Sequence, residues 1–418
     1  MRVLHCTDTY PPQVNGVSVV TALAVDGLLA RGVEVGLVMP RYPQRDIGVF
    51  GAARTPDDVL ALPAVDFPPY PGIRLTMPNP WSVDRFARAF RPDLVHADTE
   101  FVVGRLGGRT ARRLGVPLVT SFHTDFAQYT KSYGVGWLRG TVTRSLVRFH
   151  GRAQRIYTPS AVTAGWLNAH GLPHAEVWGR AVDTSAFHPR HRSTEWRQRM
   201  SLGEAVVFLH VGRLAPEKNV ELLLQAFAIA RQTLGEHARL VIAGDGPSAA
   251  SLRASAPPGV SFLGFIDRQR ELPSLYASAD VFLCASTTET LGLVILEAMA
   301  SGVPVAAVAA GGVADHLRHD DNGMAVTTRP ESIAAAMVEL AAKPKLRVRL
   351  GAAARDWAVA LGWERELDRL VDSYREVLER SRIAGVSRAR LPREDPDAQH
   401  GHHRKRLTRE DVARVMHA

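Results

Sequence analysis

The sequence predicts an α/β protein with two doubly wound parallel sheets that face each other across a cleft. Short apolar segments of strand composition alternate with helical segments, and this alternation starts afresh near residue 205. A polar segment, residues 191–200, lies between the two series. Strands that alternate with helices favour parallel sheets, because a helix usually supplies the crossover between parallel strands.

The first series opens with a βαβ unit. Residues 2–6 form an apolar strand, residues 17–31 have helical periodicity, and residues 33–40 form a second strand. The loop between the first strand and the helix carries Asn15-Gly16, whose backbone amides can receive a phosphate beside the helix N-terminus. The loop lacks the GxGxxG fingerprint of dinucleotide binding, so a glycine that serves only the tight turn is the alternative.

The rest of the first series brings one histidine to a strand end. Residues 41–80 are rich in proline and glycine and are expected to be irregular. Strands are expected over 93–97 and 116–122, with a helix over 104–115 between them. His123 follows the second of these strands, where open parallel sheets bind their ligands. The alternative, a purely structural role, is the commoner one for a single histidine.

A basic amphipathic stretch occupies residues 131–155. Apolar side chains from Trp137 to Phe149 can form one face of a helix, with arginines interleaved. This composition is typical of a helix on an anionic membrane surface, and a packed helix with a solvated basic face is the alternative. The residues expected to contact the membrane are Lys131, Trp137, Arg139, Arg144 and Arg148.

The second series repeats the alternation of strands and helices. Its strands are expected over 205–211, 240–243, 260–263, 281–284 and 304–308. A long helix follows over 362–384, and the polar, basic tail after it is expected to be mobile. The chain is therefore divided into two sheet domains, a C-terminal helix and a tail, with the bounds 1–190, 191–362, 363–384 and 385–418.

Two carboxylates mark the segment 286–304. Glu289 precedes an apolar run, and Glu297 stands inside that run on a helix expected over 293–300. An ionised carboxylate in an apolar run is costly to bury without a partner. The positive end of the helix would face Glu289 and any anion bound beside it. The alternative is a partly exposed Glu297 on an amphipathic helix.

Two cations complement these carboxylates. Arg213 and Lys218 share a loop that follows a strand of the second series. Arginine binds a phosphate through two parallel hydrogen bonds, and lysine adds a point charge, so together they are suited to a diphosphate. No Asp-x-Asp pair stands near a strand end, and we expect no essential metal and no other cofactor. Two surface cations on a solvated loop are the alternative.

Composition limits the classes of partner. The formal net charge is +9, which favours anionic small molecules, an anionic membrane or nucleic acid. No zinc-finger, homeodomain or ribonucleoprotein motif is present, so nucleic acid is not an expected partner. Cys6 and Cys284 lie in separate apolar segments without metal-ligand spacing, as expected for reduced thiols in the cytoplasm. No apolar run reaches transmembrane length, and the first residues lack a signal-peptide layout.

Taken together, the motifs resemble the retaining glycosyltransferases of family 4. They are GRLAPEKN at 212–219, AGDGP at 243–247, LGF at 263–265, the pair Glu289 and Glu297, and the GG turn at 311–312. In the N-terminal half, DTYPPQVNGVS at 8–18, SFHTDF at 121–126 and VWGRAVDTSAFHP at 177–189 look like one subgroup. That subgroup contains GDP-mannose-dependent α-mannosyltransferases and sulfoquinovosyl-diacylglycerol synthases. The resemblance covers about residues 1 to 380 and implies the GT-B fold, two Rossmann-like domains around a cleft.

The resemblance also implies roles for individual residues. Arg213 and Lys218 would hold the donor diphosphate, Glu289 the donor sugar, and Glu297 the ribose. His123 would contact the sugar from the acceptor domain. The catalytic residues implied are His123, Glu289, Arg213 and Lys218. The donor-binding residues implied are Asn15, Gly16, Arg213, Lys218, Gly244, Phe265, Ile266, Glu289, Thr290, Leu291, Gly292, Leu293 and Glu297. In many family members the first loop has two glycines, whereas here Asn15 precedes Gly16.

The expected function is transfer of a hexose, mannose from GDP-mannose as the first choice, to a lipid-linked hydroxyl. The transfer is expected to retain the anomeric configuration and to take place at the cytoplasmic face of the membrane. Domain 1–190 would bind the acceptor, domain 191–362 the donor, and helix 363–384 would pack back on the first domain. The alternatives are a UDP-sugar-dependent diacylglycerol glycosyltransferase, a sugar-nucleotide epimerase, and a non-catalytic binding protein.

Overall fold

A seven-stranded parallel sheet forms the first half of the molecule. This computed structural model describes residues 1–13, 15–43, 56–66, 74–126, 134, 136–383 and 385. The spatial order of the strands is β3-β2-β1-β6-β7-β8-β9. Their bounds are β1 Arg2–Cys6, β2 Glu34–Pro40, β3 Asp58–Leu62, β6 Leu94–Ala97, β7 Leu118–Ser121, β8 Arg155–Thr158 and β9 Ala175–Val177. The central strands are apolar runs that are almost fully buried, as parallel sheets require, whereas the edge strands β3 and β9 are mostly half-buried.

The segment 41–80 is more regular than its proline and glycine content indicates. It contributes β3 to the edge of the first sheet and a small antiparallel hairpin, β4 (Ala64–Asp66) with β5 (Arg74–Thr76). The expectation of an irregular segment is therefore wrong for its described residues. The reason is tertiary: β3 finds its partner in β2, with Val59 opposite Leu37, and such pairing overrides a weak local signal.

Helices cover the first sheet, and most of them begin with a recognisable cap. Asn79 caps α2 and Ser160 caps α5, each by accepting a hydrogen bond from a backbone amide three residues on. The α3 helix has no cap from its own preceding residue; Asp8, on the loop after β1, accepts from the amides of Val103 and Gly104 instead. The helices are α1 Gly16–Ala30, α2 Pro80–Phe90, α3 Val102–Leu114, α4 Arg139–His150 and α5 Ala161–Ala169.

A six-stranded parallel sheet forms the second half, in the order β12-β11-β10-β13-β14-β15. Its strands are β10 Val206–Val211, β11 Ala238–Ala243, β12 Val260–Gly264, β13 Val281–Cys284, β14 Val305–Val308 and β15 Gly323–Val326. Its helices are α6 Thr194–Arg199, α7 Val220–Leu234, α8 Ala249–Ala254, α9 Leu272–Ser278, α10 Leu293–Ala300, α11 Pro330–Ala342 and α12 Pro344–Ala360. This strand order is that of a dinucleotide-type sheet, which places the ligand crevice between β10 and β13.

The last helix, α13 (Trp363–Ile383), follows the second sheet in sequence but packs on the first. The Tyr374 hydroxyl lies 2.6 Å from Nδ1 of His96 on β6. Arg155 on β8 pairs with Glu376 at 3.0 Å, and Arg31 pairs with Asp368 at 2.7 Å. The helix therefore returns to the first half of the molecule after the second sheet is complete.

The polar segment 191–200 packs with the second half. Arg192 and Arg197 each form an ion pair with Asp280, which precedes β13. The amide of Ser193 donates to the hydroxyl of Ser278 at the end of α9. The chain that links the two sheets therefore lies between β9 and this anchored segment.

Candidate active site

The loops at the switch point of the second sheet carry the predicted cations and carboxylates. Arg213 and Lys218 follow β10, and Glu289 follows β13. These two strands are neighbours at the point where the strand order reverses, so the three residues lie at the same edge of the sheet. A crevice opens at such a point because the crossover helices before and after it lie on opposite faces. These residues therefore lie at the carboxyl edge of the sheet, where the sequence predicted them.

Lys218 and Glu289 are in direct contact. Lys218 Nζ lies 2.5 Å from Glu289 Oε1, and the side chains are 19% and 13% exposed. Burial alone would raise the pKa of Glu289, but the Lys218 ammonium and its hydrogen bond outweigh burial and hold that pKa below its ordinary value. The site thus presents a lysine and a glutamate in one close ion pair, with both side chains partly exposed.

Glycines allow the surrounding loops to approach each other. A Cβ on Gly244 would lie 1.8 Å from the carbonyl oxygen of Gly212, and a Cβ on Gly312 would lie 2.1 Å from that of Thr290. The first contact holds the loop of Arg213 and Lys218 against the loop after β11. The second holds the GG turn against the loop of Glu289. Gly244, predicted to bind the donor, therefore has a packing role in this structure.

Glu297 lies on α10 with its side chain 1% exposed. The partly exposed alternative is therefore excluded. Oε1 lies 2.5 Å from Nη1 of Arg268, and Oε2 accepts a hydrogen bond of 3.0 Å from Tyr276. Sequence reasoning missed Arg268, although its position in GFIDRQR, just after β12, puts it at the same carboxyl edge as the other candidates.

The other predicted donor-binding residues lie around this edge in different environments. Phe265, just after β12, is 67% exposed, and the neighbouring Ile266 is partly buried against the core. Leu291 is buried, and Gly292 immediately precedes α10 in a left-handed conformation. Leu293 is the first residue of that helix.

His123 meets the second half of the molecule across the cleft. The hydroxyl of Thr290 donates a hydrogen bond to the His123 backbone carbonyl. The imidazole is half-buried, and burial lowers its pKa to about 4 despite the opposing charge of Asp98. His123 is therefore a neutral side chain at pH 7, beside the loop that carries Glu289.

A second polar cluster lies at the switch point of the first sheet, between β1 and β6. Nδ1 of His5 lies 3.0 Å from Asp98 Oδ2, and Nε2 of His96 lies 2.7 Å from the Ser121 hydroxyl. Burial lowers the pKa of His96 to about 3, whereas the two histidines outweigh burial and lower the pKa of Asp98. The sequence did not reveal this cluster, because its members meet only when β1 pairs with β6.

Two family descriptions match the two halves of this chain. Residues 14–186 match "Glycosyltransferase Family 4", and residues 193–357 match "Glycosyl transferases group 1". A GDP-mannose-dependent alpha-mannosyltransferase of Mycolicibacterium smegmatis is 36% identical over 384 residues, which span 91% of this chain and 98% of that protein. The chain belongs to glycosyltransferase family 4.

Other relatives of this glycosyltransferase differ in the substrate that their names give. The sulfoquinovosyl transferase SQD2 of Arabidopsis thaliana is 39% identical over 253 residues, covering 59% of this chain and 48% of that protein. A Mycobacterium tuberculosis protein, GDP-mannose-dependent alpha-(1-6)-phosphatidylinositol dimannoside mannosyltransferase, is 30% identical over 377 residues, covering 87% of this chain and 93% of its own. Both names describe transfer of a hexose-type sugar, and the chain is a hexosyltransferase.

Solved structures share the architecture. Anabaena Alr3699/HepE, in complex with UDP and glucose, superposes with a TM-score of 0.73 at 19% identity, over 90% of this chain and 99% of that one. The glycosyltransferase therefore has the GT-B fold predicted from its motifs. Within the described residues, no helix is both long enough and apolar enough to cross a membrane.

Asn15 and Gly16 of the glycosyltransferase lie at the start of α1. The Asn15 side chain accepts a hydrogen bond of 2.9 Å from the amide of Ser18, and the backbone N–H of Asn15 donates one of 3.1 Å to the Ser18 hydroxyl. This reciprocal cap explains the asparagine structurally. Gly16 is exposed, with no atom within 4 Å of a Cβ placed on it, so its surface is open toward solvent.

The predicted membrane-contact helix is α4, and its apolar face is not available to lipid. Leu146 and Phe149 are 3% exposed and belong to the cores beneath the first sheet's helices. The interpretation of residues 137–149 as one apolar lipid-facing side is therefore wrong, because that side packs inward. Trp137 is 80% exposed, and Arg139, Arg144 and Arg148 are exposed on the outer side. Lys131 lies outside the described residues, as do residues 386–418.

Among the described residues, one group could offer three metal ligands: His5, His96 and Asp98, with ligand atoms within 4.8 Å of one another. Both ring nitrogens of His96 are already engaged, by Ser121 and Tyr374. Asp98 is engaged by His5. A metal at this position would have to break these contacts, so the residues fit a hydrogen-bonded cluster better than a metal centre.

Proposed function

We propose that this glycosyltransferase moves mannose from GDP-mannose to a lipid-linked hydroxyl, with retention and without an essential metal. The observation that carries the proposal is the Lys218–Glu289 pair at the second sheet's switch point, joined to His123 of the first sheet through Thr290. A cation suited to a diphosphate, a carboxylate suited to sugar hydroxyls and a neutral imidazole thus surround one cleft.

The departing diphosphate develops negative charge as the bond to the sugar breaks. Lys218, Arg213 and the N-terminal amides of α10 stabilise that charge, since they converge on the same edge of the sheet. These protein groups take the place that a divalent cation occupies in other sugar-nucleotide enzymes. Glu289 is held by Lys218, which orients it as a hydrogen-bond acceptor for the sugar rather than as a covalent nucleophile.

Retention follows if the acceptor approaches on the same face as the leaving group. The phosphate oxygen that departs can then take the proton of the acceptor hydroxyl. A neutral His123 helps this step as a hydrogen-bonding partner of the sugar, since its pKa of about 4 makes it a poor proton donor at pH 7. Closure of the two domains excludes water, which would otherwise hydrolyse the donor.

A UDP-sugar donor is the second candidate. Relatives and structural neighbours include a sulfoquinovosyl transferase and a protein solved with UDP and glucose. The described side chains near the expected base position, Phe265 and Ile266, are apolar and do not distinguish guanine from uracil by themselves. GDP-mannose remains first because the relatives that cover about nine-tenths of the chain carry that donor in their names.

A donor screen tests the proposal. Thermal midpoints are measured with GDP-mannose, UDP-glucose, UDP-galactose and UDP-sulfoquinovose, and transfer products are then analysed with membrane lipid extracts. We expect the largest stabilisation and a mannosylated lipid with GDP-mannose, both unchanged by EDTA. Stabilisation by a UDP-sugar alone favours the second candidate. Interconversion of free nucleotide sugars without an acceptor would indicate an epimerase, and no binding of any donor would indicate a non-catalytic protein.

The outer side of α4 supports a membrane-bound acceptor. Its exposed arginines face solvent beside an exposed Trp137, a pairing suited to anionic headgroups and their apolar boundary. The neighbouring α3 adds exposed Arg112 and Arg113. One relative is named for a phosphatidylinositol dimannoside, which is a lipid acceptor. We therefore place the reaction at the cytoplasmic face of an anionic membrane.

A liposome sedimentation assay tests this placement. The double variant Arg144→Glu, Arg148→Glu should bind vesicles of 30% anionic lipid at least about tenfold more weakly than the wild type, since each basic residue contributes about 1 kcal/mol near the surface. The matched control is Arg329→Glu, Arg380→Glu, because both side chains are 76% exposed and lie on other helices or loops. Equal binding to neutral and anionic vesicles would contradict the placement.

A further inference from the structure

The carboxylate of Glu297 is held by side chains from two other elements of the second domain. Nη1 of Arg268, four residues beyond β12, lies 2.5 Å from Oε1. The hydroxyl of Tyr276, on α9, donates to Oε2 at 3.0 Å. Three elements therefore converge on one carboxylate at the edge of the sheet where the donor is proposed to bind.

The charge state of Glu297 depends on this arrangement. The Glu297 side chain is 1% exposed and the Arg268 side chain 16% exposed. Burial raises the pKa of Glu297 above its ordinary value, and the charge of Arg268, followed by the Tyr276 hydroxyl, reduces that rise without cancelling it. A buried carboxylate that loses its cationic partner takes up a proton, because the neutral form is less costly to desolvate.

Among the residues that the structure describes, Arg268 is the one cation in an ion pair with Glu297. Helix α10 packs against α9, α12, β13 and β14. Tyr276 on α9, Cys284 on β13 and Arg355 on α12 are titratable groups of these elements, and the strand β14 has none. Arg355 donates hydrogen bonds to the backbone carbonyls of Ala300, the last residue of α10, and of Phe187. Its guanidinium therefore binds the C-terminal end of the helix.

The hydrogen-bonding capacity of Glu297 matches a ribose. An ionised carboxylate has about four acceptor positions, two on each oxygen. Arg268 forms an ion pair with Oε1, and Tyr276 donates one hydrogen bond to Oε2. Both oxygens therefore keep acceptor capacity, and a ribose carries two neighbouring hydroxyls. A protonated carboxyl would lose part of this capacity, so the ribose needs the ionised form.

The position of Arg268 is itself fixed by the chain that links the two sheets. Its guanidinium lies 5.1 Å from the ring centroid of Phe187, which is 2% exposed. The Phe187 ring also meets Tyr276 edge to face at 5.6 Å. Both partners of Glu297 are thus packed against one linker residue, which limits their freedom to turn away.

We propose that Arg268 is a positioning residue for the donor nucleotide: it acts through Glu297, whose carboxylate it pairs with and orients so that both ribose hydroxyls can donate to it. The inference rests on the proposed function, together with the role that the resemblance implies for Glu297, which is to receive the donor ribose. Arg268 itself need not touch the nucleotide.

The test compares GDP with 2′,3′-dideoxy-GDP, which lacks the two hydroxyls, by calorimetry from pH 6 to 9. The full-length wild type should prefer GDP by about tenfold or more at every pH, as expected for hydrogen bonds to a charged group. Arg268→Met should reduce that preference to less than about twofold at pH 6.5 and regain it toward pH 9, as Glu297 loses its proton. Arg268→Lys should restore the preference at pH 6.5.

Two further variants keep the test decisive. In a Glu297→Gln background, Arg268→Met should cause no further loss of preference for GDP. If Arg268→Met does not fold, Arg268→Gln carries the same expectation, because it keeps a donor and removes the charge. In steady-state assays, Arg268→Met should raise the KM for the donor and change kcat much less.

The outcomes separate this inference from the proposed function. A wild type that binds neither GDP nor UDP overturns both. A wild type that binds GDP and dideoxy-GDP equally overturns the ribose role of Glu297 and this inference, and leaves donor binding intact. A wild type that prefers GDP, with Arg268→Met equally selective at pH 6.5, overturns this inference alone.

Discussion

The two sheets of this glycosyltransferase have switch points of the same topology and opposite chemistry. At the second sheet, Lys218 and Glu289 form an ion pair that is partly open to the cleft. At the first sheet, His5, His96 and Asp98 form a cluster that is at most 2% exposed. The second site can exchange its internal contact for a ligand, whereas the first is closed by contacts within the protein.

This difference indicates a division of work between the halves. A charged, accessible site suits a diphosphate, whose own charge can replace that of Glu289 beside Lys218. A buried cluster of histidines and one carboxylate suits a fixed support, because such groups are costly to rearrange. His123, half-buried just after β7, lies near Asp98 of this cluster and meets the second half through Thr290.

Loss of the ammonium at the second switch point should have the largest effect. Lys218→Met removes the charge for the diphosphate and leaves Glu289 unpaired, so transfer should fall by about 10³-fold. The rate is measured by product formation, with circular dichroism to check the fold. Lys343→Met is the control, because Lys343 pairs with Glu339 on the surface, and it should stay within about twofold of the wild type. A Lys218→Met rate above one-tenth of the wild type would place the diphosphate elsewhere.

The next effect concerns His123, the residue that joins the two sites. His123→Ala should lower transfer by about 10²-fold, and His123→Asn, which keeps a hydrogen-bonding side chain, by less. Because the pKa of His123 is lowered to about 4, the residue is neutral from pH 6 to 8. The plot of kcat/KM against pH should therefore show no rise or fall due to His123 in this range. A change near pH 6.5 that is present in the wild type and absent in His123→Asn would show that His123 titrates there.

A substitution at the first switch point should lower the stability of the protein more than its rate of transfer. Asp98→Asn should lower the free energy of unfolding by about 2–3 kcal/mol, because His5 loses a charged, buried partner. The folded-state pKa of Asp98 is lowered, so its contribution is complete above the unfolded value of about 3.9 and is lost as the pH falls through the folded value. Urea unfolding at pH 7 should thus show the full difference. The exposed Asp368→Asn should cost less than about 1 kcal/mol.

The smallest expected effect is the loss of stability at acid pH that is due to one buried histidine of the first half. His150 is buried, and burial lowers its pKa to about 3, below the unfolded value of 6.5. Its neutral form therefore favours folding at pH 7, and that stability declines as the pH falls below about 6.5. At pH 5.5 the loss should be about 1.4 kcal/mol. His150→Gln should show a drop between pH 7.5 and pH 5.5 that is smaller by this amount, and an equal drop would assign the acid sensitivity to other groups.

Much of the second domain could be predicted from local pattern. The helix bounds 293–300 agree with the structure, and Glu289 lies in the loop before them as expected. Strands and loops of this kind are encoded by short runs of apolar residues and glycines, which a sequence shows directly. The roles of the site residues remain predictions.

The features that the sequence did not reveal depend on distant contacts. Arg268 meets Glu297 only because β12 and α10 reach the same edge of the sheet. The strand β3 forms because it can pair with the edge strand β2, despite its proline-rich surroundings. The apolar side of α4 packs inward onto the first half's core. Helical periodicity alone does not distinguish a side that faces a core from one that faces lipid.

The return of α13 to the first sheet has a consequence for how such enzymes diverge. Its partners, among them His96, Arg31 and Arg155, belong to the first half of the molecule, although the helix follows the second half in the chain. Recombination between relatives that exchanges only the second half, at residues near 190 and 360, would keep this contact surface matched. An exchange that runs to the end of α13 would bring in a helix adapted to another first half. The second half is thus exchangeable by itself only if α13 stays with the first.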